Sequence, residues 1–420
     1  SAESNSAQIK NMIKKPKVLF IMYDGLTDPL GQSQVLSYLR HLSKDYSFDV
    51  IGYEKPAVFE ALKNNINKEI ASLDITWFPI KYHKKPPILS TIYDFYIGWK
   101  IAKMNGDIVN YDVIHCRSGA IGNVALRLKK RYNAKLIFDM RGWWADEKKD
   151  SGAWSSIIFK PIYLYFKSIE KKLFKDSEYA ISLTNAGYNE IIRQNLKSAN
   201  QISIIPTCVD FNIFKPFDQK IRENVRIELA IPIDDKVILY SGSLGGNYSI
   251  DTIIDAYKAS KELLHDTKIL ILSHTDTDYI VSELEKFKIP IDDIRIKSCN
   301  YNEVHRYLMS GDVGIINYHQ CFSTIGRSPT KMGEYWACGL PVLCKKDTGD
   351  VDYLLKKYPD SGYIIDTSNP DAYMNALSKI FANKNHRKQL REYSVDCFDL
   401  LKGVEIYKNL YSNLLHNYYP

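Results

Sequence analysis

The stretch Ser328–Leu343, "SPTKMGEYWACGLPVL", reads as a helix running into a strand. Ser328 or Thr330 can cap a helix whose first turn includes Lys331 and Glu334, and Gly339-Leu340-Pro341 ends it. The apolar run "PVLCKK" (341–346) follows at once as a strand. A helix that ends at glycine and feeds a short apolar strand is the repeating unit of a parallel α/β sheet.

Outward from there the same unit recurs. Strands are expected at 17–23, 48–54, 75–80, 112–117, 135–140, 179–184 and 202–206, with helical spacing between them. The segment "CVDFNIFKPFDQ" after 206 shows neither period and carries Pro216, so it reads as a linker. A second set follows at 236–242, 268–274, 294–299, 313–319, 341–346 and 362–367. A chain of 420 residues is too long for one ordinary core, and the pattern divides it into two Rossmann-like halves. Two open parallel sheets bind ligands beyond the carboxyl ends of their strands, so facing halves imply a shared cleft. The last helical stretch places Val404, Tyr407, Leu410, Tyr411 and Leu414 on one face, which needs a surface to cover it.

Composition excludes several classes. Charged residues at 25% and hydrophobic residues at 45% are those of a folded globular chain, and 56 Lys and Arg against 49 Asp and Glu is too mild an excess to demand nucleic acid. No apolar run reaches the ~18 residues that span a bilayer, and residues 1–14 read as a flexible tail without a signal-peptide core. Seven scattered cysteines with no CxxC pair suggest free thiols in a reducing, cytoplasmic setting.

Two segments carry chemistry. In "VILYSGSLGGNYSIDTIIDAY" a strand ends at Tyr240, the small-residue loop Ser241–Gly246 follows and a helix begins near Ile250. Glycines let a ligand approach the backbone, and the helix start attracts phosphate, although a turn of this kind also serves packing alone. In the opening stretch, Glu334 can accept the two hydroxyls of a ribose, and Lys331 can face a diphosphate. The plainer reading is a capping glutamate beside a solvated lysine.

Together these segments resemble the family-4 retaining glycosyltransferases of GT-B fold, along nearly the whole chain. Glu334 with Ala337, Gly339, Pro341 and Val342 matches that family's ribose-binding helix, and Gly242–Gly246 its phosphate loop. Pro206, Val209, Asp210 and Phe214 match its interdomain signature, and Gly31 in "YDGLTDPLGQSQ" its first loop, where glycine approaches the donor phosphates. The Ser-Pro-Thr-Lys sub-pattern is similar to a bacterial surface-polysaccharide branch. The resemblance implies an acceptor domain at 15–208, a nucleotide-sugar domain at 209–395 and a terminal helix at 396–420 that returns to the first domain. It implies a retaining, metal-independent hexosyl or related glycosyl transfer from a nucleotide-sugar, UDP or GDP favoured, with no cofactor. The acceptor would be a glycan or lipid-linked glycan.

Departures from the family redistribute the roles. Ser243 and Tyr248 stand where many members place a phosphate-binding Arg and Lys, and Gly326 replaces the first glutamate of the E-x7-E pair. Lys331 and Arg327, with Gly242, Ser243, Gly245, Gly246, Ser328 and Thr330, are therefore the expected donor-binding set. Arg141 occupies about the place of a frequent family histidine. It stays charged and cannot act as a general base, so it would bind charge on acceptor or sugar. Asp139 is grouped with it as catalytic, and Arg117, Asp146 and Glu147 as acceptor-side. "DTD" at 276–278 imitates a metal motif but reads as a solvated loop. Residues 148–175 interleave lysines and aromatics, with Ile162, Tyr165, Phe166, Ile169 and Leu173 on one face and Trp154, Phe159, Tyr163, Leu164 and Phe174 off it. That pattern suits either a core-facing helix or contact with the inner face of a membrane. A nucleotide-sugar 2-epimerase and a non-catalytic nucleotide-sugar-binding protein share the fold and stay open as alternatives.

Overall fold

The computed structural model describes residues 15–245, 248, 250–383 and 387–415. The tail at 1–14 and Gly246, singled out above, lie outside them. All thirteen expected strands form, each within three residues of its expected ends. The first seven are β1 (Lys17–Met22), β2 (Ser47–Glu54), β3 (Ile75–Lys81), β4 (Val113–Arg117), β5 (Lys135–Asp139), β6 (Tyr179–Ser182) and β7 (Ile202–Ile204). They build one parallel sheet in the order β3-β2-β1-β4-β5-β6-β7. The remaining six are β8 (Lys236–Ser241), β9 (Thr267–Leu272), β10 (Ile294–Lys297), β11 (Val313–Ile316), β12 (Val342–Lys345) and β13 (Gly362–Ile365). Their sheet runs β10-β9-β8-β11-β12-β13, again parallel. This is the GT-B architecture, two Rossmann-like units. The strand order reverses between β1 and β4 and between β8 and β11, and those switch points place ligand crevices at the carboxyl ends of these strands.

The terminal helix Leu400–Leu415 lies on the first unit. Val404, Tyr407, Leu410, Tyr411 and Leu414, its expected apolar face, are all buried in one cluster with Tyr38, Tyr46 and Phe48. The segment read as a linker is tied to the return crossing: Val209 donates to the Phe398 carbonyl at 2.7 Å, and Leu400 returns a bond to the Val209 carbonyl at 3.2 Å. Both passages between the units therefore run side by side.

Polar groups key this packing. Asp139, at the end of β5 and fully buried, accepts from Tyr407 Oη at 2.9 Å. His115 Nδ1 meets Tyr411 Oη at 2.7 Å. In the second unit Asp312 is gripped by Arg222 at 2.7 Å and by the fully buried Arg226 at 2.8 Å. Arg226 also donates to the carbonyls of Ile233 and Asp235, which ties the chain entering β8 to the chain entering β11.

Two local expectations are corrected. Neither Ser328 nor Thr330 caps the helix Thr330–Ala337, which starts behind Pro329 with no side-chain cap. The Ser328 hydroxyl instead accepts from the Thr207 amide at 3.2 Å, joining the two units. In the helix Lys160–Asp176 the buried positions are Phe166, Ile169, Glu170, Leu173 and Phe174, an i, i+3, i+4, i+7, i+8 stripe. Tyr165 falls one position off that stripe and is exposed, whereas Phe174 lies on it. No helix among the described residues is long and apolar enough to cross a membrane.

The Tyr407 hydroxyl is a donor to a buried carboxylate, so Tyr407→Phe should cost about 1–3 kcal/mol in urea unfolding, with the terminal helix the first element to lose exchange protection.

Candidate functional site

The crevice is lined by the loops after β1 and β8 and by the helix Thr330–Ala337. After β1 the chain turns through Gly25–Asp28, and Glu54 holds that turn by accepting from the Leu26 amide at 2.7 Å and the Thr27 hydroxyl at 2.5 Å. Burial raises the Glu54 carboxyl, partly offset by those donors. Gly31 lies in the first turn of the next helix, which starts at Pro29, and packs on this loop. A Cβ there would stand 2.0 Å from the Gly25 carbonyl oxygen, so the helix can lie on the loop only without a side chain.

After β8, Gly242 takes φ +131 and Gly245 φ +87, backbone that other residues rarely adopt. Ser243 is exposed. A Cβ at Gly242 would come within 2.7 Å of Lys331 Cε, so the glycine loop and the lysine are in direct contact. Lys331 Nζ donates to Tyr240 Oη at 3.0 Å, and Tyr240 passes its own proton to the Ser243 carbonyl at 2.5 Å. The amine lies 4.3 Å from the Tyr240 ring centre, 4.4 Å from Tyr248 and 5.7 Å from Tyr318. Tyr248 thus forms a wall of the chamber that holds Lys331. Glu334 follows one turn on and is buried. Burial pushes the Lys331 amine down to about 7 and the Glu334 carboxyl up to about 8, each moderated by the other's charge.

Arg327 crosses the cleft. Its guanidinium stacks 5.0 Å over Tyr318 and lies 3.6 Å from Glu147 of the first unit. Burial raises the Glu147 carboxyl, and Arg327 offsets part of that. Further contacts join the units here. Asp150 accepts from the Ser323 amide at 2.9 Å, and Thr184 Oγ1 donates to the Ile325 carbonyl at 2.7 Å. Asp350 accepts from the Asn185 and Ala186 amides at 2.7 and 3.0 Å, at the start of the helix Asn185–Arg193. Gly326 packs on Trp143, whose Cδ1 would lie 2.9 Å from a Cβ at 326.

The structure brings together Gly242, Gly245, Lys331, Glu334 and, across the cleft, Arg327 with Glu147. Asp139, Arg117 and Arg141 form a different group. Arg117 and Arg141 lie 3.5 and 3.6 Å from Asp139, and all three are nearly or fully buried. Burial alone would raise the Asp139 carboxyl, but Arg141, His115 and Arg117 together hold it well below the usual carboxylate range. This group faces Tyr407 on the terminal helix as much as it faces the cleft. Asp146 is engaged by Tyr163 and Lys167, both at 2.8 Å, and is also buried. In the "DTD" segment Asp276 caps the helix Thr277–Glu285 through the Tyr279 amide. The tyrosine chamber and the Glu54 clamp were not visible in the sequence, where nothing links residues so far apart.

Residues 221–396 match the family described as Glycosyl transferases group 1. That match falls in the carboxyl-terminal unit. An uncharacterised glycosyltransferase of Methanocaldococcus jannaschii is 21% identical over 95% of this chain and 100% of its own. The UDP-Gal:alpha-D-GlcNAc-diphosphoundecaprenol alpha-1,3-galactosyltransferase of Escherichia coli is 23% identical over 73% of this chain and 76% of its own. Among solved structures, sucrose-phosphate synthase of Thermosynechococcus elongatus superposes with a TM-score of 0.71 at 14% identity, covering 96% of this chain and 100% of that one. An Anabaena protein solved with UDP and glucose gives 0.69 at 11% identity over 95% and 100%.

The buried Lys331 and Glu334 make the stability of the carboxyl-terminal unit pH-dependent. Glu334 binds its proton more tightly in the fold than at its ordinary 4.5, so its contribution is complete below 4.5 and is lost as pH rises towards 8. Lys331 acts oppositely: its buried amine penalises folding below about 7, and the penalty fades as pH rises towards 10.5. Thermal midpoints at pH 5 and pH 8 should show wild type losing ground to Glu334→Gln at the higher pH.

Proposed function

We propose that the chain is a retaining, metal-independent glycosyltransferase that moves a sugar from a nucleotide-sugar to a glycan or lipid-linked glycan in bacterial surface-polysaccharide synthesis. The contact between Lys331 and Gly242 carries this reading: it sets a cation directly against a glycine loop at a sheet's switch point. Lys331 and Arg327 take the place of the phosphate-binding Arg and Lys for which Ser243 and Tyr248 stand here. Glu334 binds the ribose, with Gly31, Gly245, Ser328 and Thr330 around the donor.

A diphosphate entering the chamber would draw the Lys331 amine away from the tyrosine faces and favour its protonated form, because a nearby anion favours the charged state. The charge then opposes that which develops on the leaving diphosphate. One of the diphosphate oxygens takes the proton of the attacking acceptor hydroxyl on the same face, so retention needs no protein nucleophile. Arg141, Asp139 and Arg117 act from behind, by fixing the strand ends that face the acceptor, and Asp146 and Glu147 set the helix beside them. The relative from Escherichia coli supports a diphospholipid acceptor, and the UDP-bound Anabaena structure supports UDP. Ile157, Ile158, Leu164 and Tyr165 stay exposed among the lysines of 148–175, which supports contact with an anionic membrane face.

Purified protein should be stabilised by one nucleotide class in a screen of UDP-, GDP-, dTDP- and CMP-sugars with chelator present, and Glu334→Ala should abolish the effect. Lys331→Ala should lower donor turnover by about a hundredfold or more, and a loss within about threefold would sink its assigned role. Calorimetry in two buffers of different ionisation enthalpy should show proton uptake when UDP binds above pH 7.5, and none in Lys331→Met.

A further inference from the structure

His83 and Asp94 form a pair that the donor site does not use. Asp94, in the helix Leu89–Val109, is fully buried, and His83 Nδ1 lies 2.6 Å from its carboxylate. The same carboxylate accepts from the His83 amide at 3.1 Å and from Tyr23 Oη at 3.3 Å. Tyr53 Oη fixes the helix itself by donating to the Asp94 carbonyl at 2.9 Å. Among the described residues His83 is the only Lys, Arg or His side chain within 4 Å of the buried Asp94 carboxylate. The ring is oriented by that bond and by the edge of Tyr93 at 5.3 Å, while its side chain is 34% exposed. Nδ1 being taken, Nε2 is the atom offered outward.

The pair stands at the carboxyl edge of the first sheet. Tyr23, which reaches Asp94, immediately follows β1 and precedes the turn on which Gly31 rests. Lys84 and Lys85 follow His83 and are exposed. Beyond them the helix presents Leu89 (65% exposed), Ile92 (60%), Tyr93 (53%) and Tyr96 (54%), an i, i+3, i+4, i+7 stripe turned to solvent. A helix normally buries such a stripe. Here an oriented imidazole and two lysines stand at its head, so cationic and apolar surfaces run on in that order.

We propose that His83, held by Asp94, binds the phosphate of the acceptor, and that the Leu89–Tyr96 stripe takes the isoprenoid chain attached to it. This rests on the transferase reading and names its acceptor as a polyprenyl phosphate or diphosphate glycan. The ligand has an anionic head joined to an extended apolar tail, and the surface has that arrangement in complement. The Asp94 carboxylate engages Nδ1 and so leaves Nε2 free to meet a phosphate oxygen.

The test uses the full chain saturated with the nucleotide selected by the donor screen, and adds inorganic pyrophosphate, farnesyl diphosphate or farnesol. Wild type should still bind the two diphosphates, and His83→Gln should weaken both by at least about tenfold while farnesol is unaffected. Tyr96→Ser should weaken farnesyl diphosphate and farnesol but not pyrophosphate. In wild type the His83 ring nitrogen signals, assigned by their loss in His83→Gln, should shift when pyrophosphate is added. Unshifted signals, diphosphate binding retained in His83→Gln, or a nucleotide that fully excludes pyrophosphate would each overturn the proposal. Failure of every nucleotide to bind would instead overturn the donor site.

Discussion

The buried carboxylate of Asp139 governs how the two ends of the chain meet. It sits where β5 ends, inside a sheet covered on both faces, and a charge there persists only if donors converge on it. Arg117 and His115 come from β4, Arg141 from the residues after β5 and Tyr407 from the terminal helix. The last helix is therefore part of the first unit's polar interior as well as a cover for its apolar face. With that helix in place the chain must cross twice between the units, and the crossings pair at Val209 and Leu400. The relative placement of the sheets, and so the width of the cleft, follows from this return.

Within the cleft the governing fact is how little space separates the glycine loop from its neighbouring helix. Gly242 and Lys331 touch, so one residue can lack a side chain only because the other fills the volume. The tyrosines around the amine provide no full anionic partner, and the nearest carboxyl, Glu334, is itself held towards its protonated form. The chamber is poised: its charge is incomplete until an anion arrives. A tightly paired lysine would bind phosphate only by first breaking its own salt bridge.

Periodicity made the strands and the terminal helix legible, because burial on both faces imposes apolar runs of four to eight residues. Val404 to Leu414 were found by spacing alone. What spacing cannot show is pairing between distant residues. Tyr248 looks like a lost lysine until Lys331 is seen beside it, and Asp139 and Arg141 look like cleft residues until Tyr407 arrives from over 260 positions away. Ser328 had the composition of a cap, but Thr207 from the other unit offered it a different partner. Phe174 was misplaced because the helix register was anchored on Tyr165, one residue off the buried stripe.

The bond from Asp350 to the amides of Asn185 and Ala186 bears on how the protein can be divided. A helix start requires acceptors, and this one receives two from a carboxylate some 165 positions later, in the other unit. The first unit cut free would therefore begin that helix with only its own Thr184 cap, and would also lack the tyrosines that complete its interior. Regions that look like separable modules along the chain are not separable bodies in solution. A fragment ending in the linker lacks the Tyr407 and Tyr411 hydroxyls that its own buried polar groups bind.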